Sequence, residues 1–159
     1  MERSDFAGFD DERMPPSLAA RRLAALIVQR LDALLPRSFR VEAEAGVVSL
    51  HEGAAWDTSI GLASLVDQDV DPAAAPGARY SFAWNAANAA ESVLNNVQDG
   101  ISERTKDPWP RLADGRMAMW GARTDGERIF LWYGPDSDRE TDAVLSFEPI
   151  SVTELLAPE

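Results

Sequence analysis

The chain has 159 residues, contains no cysteine, and carries a net charge of -12, with 27 acidic residues against 15 Lys and Arg. This length suits one domain that buries a core without staples, and the lack of cysteine excludes thiol chemistry and sulfur-bound metals. The negative charge disfavours binding to nucleic-acid phosphates and anionic membranes, and it favours a basic protein partner or simple solubility.

No segment contains the roughly 20 apolar residues that cross a bilayer, and residues 1–13 hold no apolar run like that of a signal peptide. We therefore predict a cytoplasmic protein. Residues 1–16 are predicted to form a flexible acidic tail that ends in Pro15 and Pro16. The remainder, 17–159, is predicted to form a single α+β domain.

Two amphipathic helices are predicted from apolar residues that recur every three or four positions. The first helix begins after the N-cap residue Ser17 and ends before Pro36. The second and longer helix begins near Ser81 and ends by Asp107, with Gly100 as an alternative end. Its apolar stripe predicts that it lies across a sheet as the central core element.

Strands are predicted where apolar and polar residues alternate, at 39–44, 48–50, 56–66, 117–123, 127–133 and 143–148. A short C-terminal helix follows Ser151, because Glu154 has the capping-box spacing. The order of elements predicts the α+β class, with an antiparallel sheet of five to six strands and two main helices. By pattern and size, this order is similar to that of the small, acidic, dimeric chaperones of type III secretion.

The pair Asp125 and Gly126 predicts a type I′ hairpin that pairs Ala122 with Ile129. Both faces of this hairpin are apolar, and one of them carries Met117, Met119, Phe130 and Trp132, with Arg123 and Arg128 near the turn. A sheet that is apolar on both sides must be covered on both, by helices, by a second chain or by a ligand. The residues predicted to bind a partner are Met119, Trp120, Phe130 and Trp132.

The sequence contains no recognisable catalytic motif. His51 is the only histidine, and neither a Gly-x-Ser-x-Gly run nor a glycine-rich nucleotide loop occurs. The acidic runs 67–71 and 136–142 have the spacing that opens a calcium loop, but they lack its glycine and its closing Glu. We therefore predict no catalytic residue, no metal site and no cofactor.

These observations favour a non-catalytic protein-binding module, such as a small acidic chaperone, an immunity-type inhibitor or an adaptor. Its partner is predicted to be a protein, either a basic one or a second copy of the chain. The alternative is a small-molecule-binding protein or hydrolase, whose pocket between the sheet and the long helix uses His51, Trp84, Asn85 and Asn88. A third hypothesis is mimicry of DNA by rows of acidic side chains.

Overall fold

The computed structural model describes residues 17–66 and 77–158. Its elements are α1 (Leu18–Leu31), a 3₁₀ turn (Asp32–Leu34), β1 (Phe39–Glu44), β2 (Val47–Glu52), β3 (Trp56–Gly61), α2 (Ala63–Val66), α3 (Ala78–Thr105), β4 (Met119–Thr124), β5 (Arg128–Gly134), β6 (Leu145–Ser146), β7 (Ile150–Ser151) and α4 (Val152–Leu156). The α+β class with antiparallel strands, two main helices and a short C-terminal helix is confirmed. None of the described helices combines the length and apolar composition that a membrane crossing requires. The predicted tail and the acidic run 67–71 lie outside the described residues.

The strands form two antiparallel sheets, where the sequence predicted one. The first sheet has the order β1-β2-β3, and in the second β5 lies between β4 and the short strands β6 and β7. The third strand ends at Gly61, and the predicted continuation of it is the helical turn α2. The amides of Leu65 and Val66 donate to the carbonyl of Leu62, which closes this turn.

Both predicted N-caps are confirmed by side-chain hydrogen bonds. The Oγ of Ser17 accepts from the amide of Ala20 at 3.0 Å, at the start of α1. The Oγ of Ser151 accepts from the amide of Glu154 at 3.2 Å, at the start of α4. These bonds satisfy donors that have no partner within the first turn of a helix.

The long helix α3 is continuous through Gly100, which was an alternative end in the sequence. A Cβ at Gly100 would lie 2.8 Å from side-chain atoms of both Leu50 and Trp56. The glycine therefore serves close packing between the helix and the first sheet. It costs some helix propensity, but the 28-residue helix tolerates that loss.

The helix α3 is the central element of the fold and contacts strands of both sheets. Its predicted apolar stripe is buried throughout, at Ala83, Ala86, Ala90, Val93, Val97 and Ile101. Small side chains on this stripe let α1 and the two sheets approach the helix closely, and one continuous apolar core results.

The hairpin that joins β4 and β5 differs from its predicted form by two residues. Gly126 and Glu127 are its central residues, and of the predicted pair Asp125 and Gly126 only Gly126 has a positive φ, of 92°, so the predicted type I′ turn, which needs two positive φ angles, does not form. The register pairs Ala122 with Leu131, where the sequence predicted Ile129. Because side chains alternate with a period of two, a shift of two residues leaves every side chain on its predicted face.

Candidate functional site

The second sheet has one side toward α3 and one side away from it, which we call the outer face. The outer face is formed by alternate residues of β4 and β5, namely Met119, Gly121, Arg123, Arg128, Phe130 and Trp132. The opposite side packs on α3, where the hydroxyl of Tyr133 donates to the carbonyl of Leu94 at 2.7 Å. Among the described helices, α3 alone packs extensively on β4 and β5, so no helix covers the outer face.

Trp132 is fully buried, with 0% of its surface exposed, although it belongs to the outer face. Its indole lies across Gly121 on β4, where a Cβ would overlap the ring. The indole Nε1 donates to the carbonyl of Asp136 at 2.9 Å, so the start of the segment 135–144 that follows β5 closes against the ring. Trp132 is therefore buried outside the apolar core around α3, and its predicted contact with a partner is not available in this structure.

The accessible part of the outer face combines apolar and cationic groups. Met119 is 44% exposed. The half-buried ring of Phe130 lies between two guanidinium groups, with Arg123 at 4.1 Å and Arg128 at 5.1 Å from its centroid. Each cation–π contact of this kind contributes on the order of 0.5–1 kcal/mol at an exposed site. Arg128 also pairs with Asp125 at 3.4 Å.

Two further residues that the sequence singled out, Trp120 and Met117, lie outside the accessible part of the outer face. Trp120 pairs with Tyr133, so it is on the side of the sheet that faces α3, and it is half-buried there. Met117 precedes β4, and its Sδ lies 3.2 Å from the Oγ of Ser102 on α3. Of the four predicted partner-binding residues, Met119 and Phe130 are accessible on the outer face, and they lie at opposite ends of the β4–β5 pair, because Met119 pairs with Gly134 and Phe130 pairs with Arg123.

His51 lies on the first sheet, on the side away from the core. Its Nε2 is 3.5 Å from a carboxylate oxygen of Glu42, and its Nδ1 is 3.9 Å from one of Asp57. Both distances exceed those of hydrogen bonds, and within the described chain Nε2 is shielded from solvent without a hydrogen-bond partner. The ring borders an open cleft of about 370 Å³, lined by Arg37, Ser38, Arg40, Glu42, His51 and Gly53.

The ligand-binding residues of the alternative hypothesis do not meet. Trp84, Asn85 and Asn88 lie in the N-terminal half of α3. Leu50 packs against Gly100, which lies about 18 Å along this helix from Asn88 and about 24 Å from Trp84 at 1.5 Å per residue, and His51 points to the opposite side of its strand. No pocket between sheet and helix can therefore be built from all four residues.

Two exposed aromatic residues of α3 form a feature that the sequence analysis did not recognise as a pair. Tyr80 is 51% exposed and Trp84 is 55% exposed. Their spacing of four residues places them on one side of the helix, and this spacing is visible in the sequence. Tyr80 lies next to the β4–β5 turn, because a Cβ at Gly126 would be 3.2 Å from its ring.

The acidic run 136–142 is described and holds its own loop together. Asp136 accepts from the amide of Asp138 at 2.7 Å and from Arg139 at 3.2 Å, which lowers the pKa of its carboxyl group. Glu140 accepts from the hydroxyl of Ser146 at 2.6 Å. Among residues 17–66 and 77–158, no three His, Asp or Glu side chains are grouped in a way that could hold a metal ion.

Comparison with protein-family models gives no match for this chain. Searches of curated proteins and of solved structures give no match either. The geometry of the outer face and its surroundings is therefore the basis for assigning a function.

Proposed function

We propose that this chain is a non-catalytic protein-binding module whose contact surface is the accessible part of the outer face. The observation that carries the proposal is the ring of Phe130, held between the guanidinium groups of Arg123 and Arg128 on a sheet face that also exposes Met119 at its far end. Aromatic residues, Met and Arg are the types enriched at protein interfaces. A small acidic chaperone, an immunity-type inhibitor and an adaptor are the classes of binding module that the proposal includes.

The local charge of this surface selects the chemistry of the partner. The net charge of -12 favours a basic partner at long range. At the contact surface, however, Arg123 beside Phe130 has no ion-pair partner among the described residues, whereas Arg128 pairs with Asp125, so the guanidinium of Arg123 complements a carboxylate of the partner. We therefore assign the partner a segment that combines carboxylate side chains with apolar ones.

A second copy of the chain is a less suitable partner for this surface. A two-fold interface uses the same patch of both subunits, so each copy would meet the guanidinium groups of the other and would offer them only the Asp125 carboxylate, which already pairs with Arg128. Like charges that face each other across an interface destabilise it. Native mass spectrometry at neutral pH is expected to show a monomer, and a dimer that Met119→Asp dissociates would contradict the proposal.

The partner is expected to present a short segment. The accessible part of the outer face consists of four side chains, those of Met119, Arg123, Phe130 and Arg128. Their combined surface is smaller than the roughly 800 Å² that each partner buries in a standard interface. A short segment of the partner is therefore enough to cover them. A random-peptide display selection on the immobilised chain provides the probe. We expect the enriched peptides to contain Asp or Glu alternating with apolar residues.

Fluorescence anisotropy with an enriched peptide then locates the contact. Arg123→Glu is expected to weaken binding about tenfold or more, because it reverses the charge beside Phe130. The matched control is Arg40→Glu, which makes the same charge change at a side chain 72% exposed on the first sheet. The control is expected to stay within about twofold of the original affinity. Equal losses in both variants, or no enriched peptide, would overturn the proposal.

A further inference from the structure

One edge of the second sheet presents backbone groups that no described strand pairs. The amide of Ala118 donates to the carbonyl of Pro110 at 2.8 Å, and the carbonyl of Ala118 accepts from Gln98 Nε2 at 2.6 Å, so both groups point away from β5. Backbone direction alternates along a strand, so the amides and carbonyls of Trp120 and Ala122 point the same way.

The turn confirms this alternation independently. The amide of Asp125 donates to the carbonyl of Arg128 at 3.3 Å, so odd-numbered residues of β4 direct their backbone groups toward β5. Within the described residues, β4 is the terminal strand of its sheet. Trp120, Ala122 and Thr124 thus form an edge with donors and acceptors directed outward.

The helix α3 runs along this edge. Its residue Tyr80 lies beside the turn at Gly126, and its residue Gln98 binds the far end of the strand at Ala118. These helix residues are 18 positions apart, about five full turns, so they lie on the same side of α3. Trp84 deviates from that side by only about 40° at 100° per residue. The edge of β4 is therefore flanked by exposed aromatic rings.

We infer that the free edge of β4 binds an extended segment of the partner by strand addition, an inference that rests on the proposed function. Backbone hydrogen bonds to Trp120 and Ala122 would supply affinity, and alternate side chains would supply specificity. Side chains on one face of the added strand contact Tyr80 and Trp84 and are apolar. Those on the other face lie beside Met119 and Arg123 and include carboxylates.

The same geometry disfavours a second copy at this edge. Two β4 strands paired edge to edge would lie about 4.8 Å apart. In an antiparallel pair related by a two-fold axis, both α3 helices lie on the same side of the joined sheet, and the helix sides that carry Tyr80 and Gln98 face the shared edge and compete for the same space. A single extended segment has no such helix, so the occupant is a strand from a different protein.

The test uses the full chain and the peptide obtained by display selection. Ala122→Pro removes the outward amide at the centre of the edge, and the bonds to β5 are kept because residues 121 and 123 make them. The matched control Ala122→Val keeps the amide and adds a β-compatible side chain. We expect Ala122→Pro to weaken peptide binding about tenfold or more, and Ala122→Val to stay within about twofold.

A second measurement leaves the protein unchanged. Two versions of the peptide are made, one N-methylated at odd positions and one at even positions. Strand addition predicts that only one version loses affinity, because only alternate amides of the added strand point toward β4. This comparison remains informative if Ala122→Pro does not fold.

The outcomes separate this inference from the proposed function. In one outcome, Arg123→Glu no longer binds the peptide, Ala122→Pro binds it normally, and the two methylated peptides bind the unchanged protein equally well. This outcome would overturn strand addition and leave the proposed function intact. A peptide whose affinity no variant changes would overturn both. Selective loss with Ala122→Pro and with one methylation pattern would support strand addition.

Discussion

The two sheets of this chain differ in the side that faces away from the core. On the first sheet, that side carries the exposed residues Arg40 and Glu42 and the partly exposed residues Ser49 and His51. On the second sheet, the corresponding outer face carries Phe130 and Trp132 and is only partly covered. The difference shows that a polar outer side needs no cover, whereas an apolar one needs either its own chain or a partner.

Trp132→Ala should give the largest difference between the two sheets. Removal of a fully buried indole is expected to lower the free energy of unfolding by about 3–5 kcal/mol. His51→Ala, on the outer side of the first sheet, should change it by no more than about 0.5 kcal/mol. Urea denaturation followed by circular dichroism measures both. A loss below about 1 kcal/mol for Trp132→Ala would mean that segment 135–144 does not hold the ring in place.

A pair of glycines sharpens the same comparison. Gly121→Ala would place a methyl group into the Trp132 ring and should cost about 1–3 kcal/mol. Gly61→Ala on β3 should be neutral or slightly stabilising, because its Cβ would lie 3.9 Å from Val47, an ordinary contact. Thermal unfolding of both variants is the measurement. Equal shifts in Tm would contradict the packing described for the outer face.

The hairpin turns of the two sheets differ as well. In the β4–β5 turn, the residue with a positive φ is a glycine, Gly126. In the β1–β2 turn, the alanine Ala45 has a positive φ of 54°, which an L-residue with a side chain adopts at a cost. Ala45→Gly should therefore raise the free energy of unfolding by about 0.5–1 kcal/mol. Gly46→Ala, at a φ of 77°, should lower it and serves as the control. If Ala45→Gly destabilised the chain in urea denaturation, the turn would have another conformation.

The smallest effect is expected at Glu91 on α3. Burial raises the pKa of its carboxyl group in the folded chain. The folded chain therefore binds this proton more tightly than the unfolded chain, and stability falls as the pH rises from the unfolded pKa through the folded one. Glu91→Gln should stabilise the chain at pH 7 by up to about 0.5 kcal/mol. At pH 3.5 the carboxyl group is mostly protonated in both states, so the gain in free energy of unfolding, measured by urea denaturation, should vanish there. A gain of equal size at both pH values would exclude the carboxyl group as its cause.

The helices and the faces of the strands were predictable from the sequence because local periodicity determines them. The stripe of α3 and the caps at Ser17 and Ser151 follow from residues within one or two turns of each other. The faces of β4 and β5 were also predicted, since the error in register was two residues and a period of two preserves the face.

The features that the sequence did not predict depend on contacts between distant segments. The continuity of α3 through Gly100 depends on Leu50 and Trp56, about 50 residues earlier in the chain. The burial of Trp132 depends on the start of segment 135–144, which closes against its ring. The division of the strands into two sheets depends on where β3 and β4 lie around α3. Periodicity within a segment carries no information on these placements.

The candidate site was predicted in part. Met119 and Phe130 were recognised from the two-sided apolar pattern, and Arg123 and Arg128 were noted near the turn. The aromatic pair of Tyr80 and Trp84 was missed because its relation to β4 arises only when α3 lies along the strand. The free edge itself has no signature in side chains, since it consists of backbone groups.

Residue-resolved amide hydrogen exchange of the free chain at neutral pH tests the central claim most directly. A free β4 edge beside the contact surface predicts alternating protection along the strand. The amides of Trp120 and Ala122 should exchange on the order of a hundredfold faster than those of Gly121 and Arg123, which bond to β5. Equal protection of all four amides in the monomer would show that the edge is already occupied, and would contradict strand addition as the way in which this chain binds its partner.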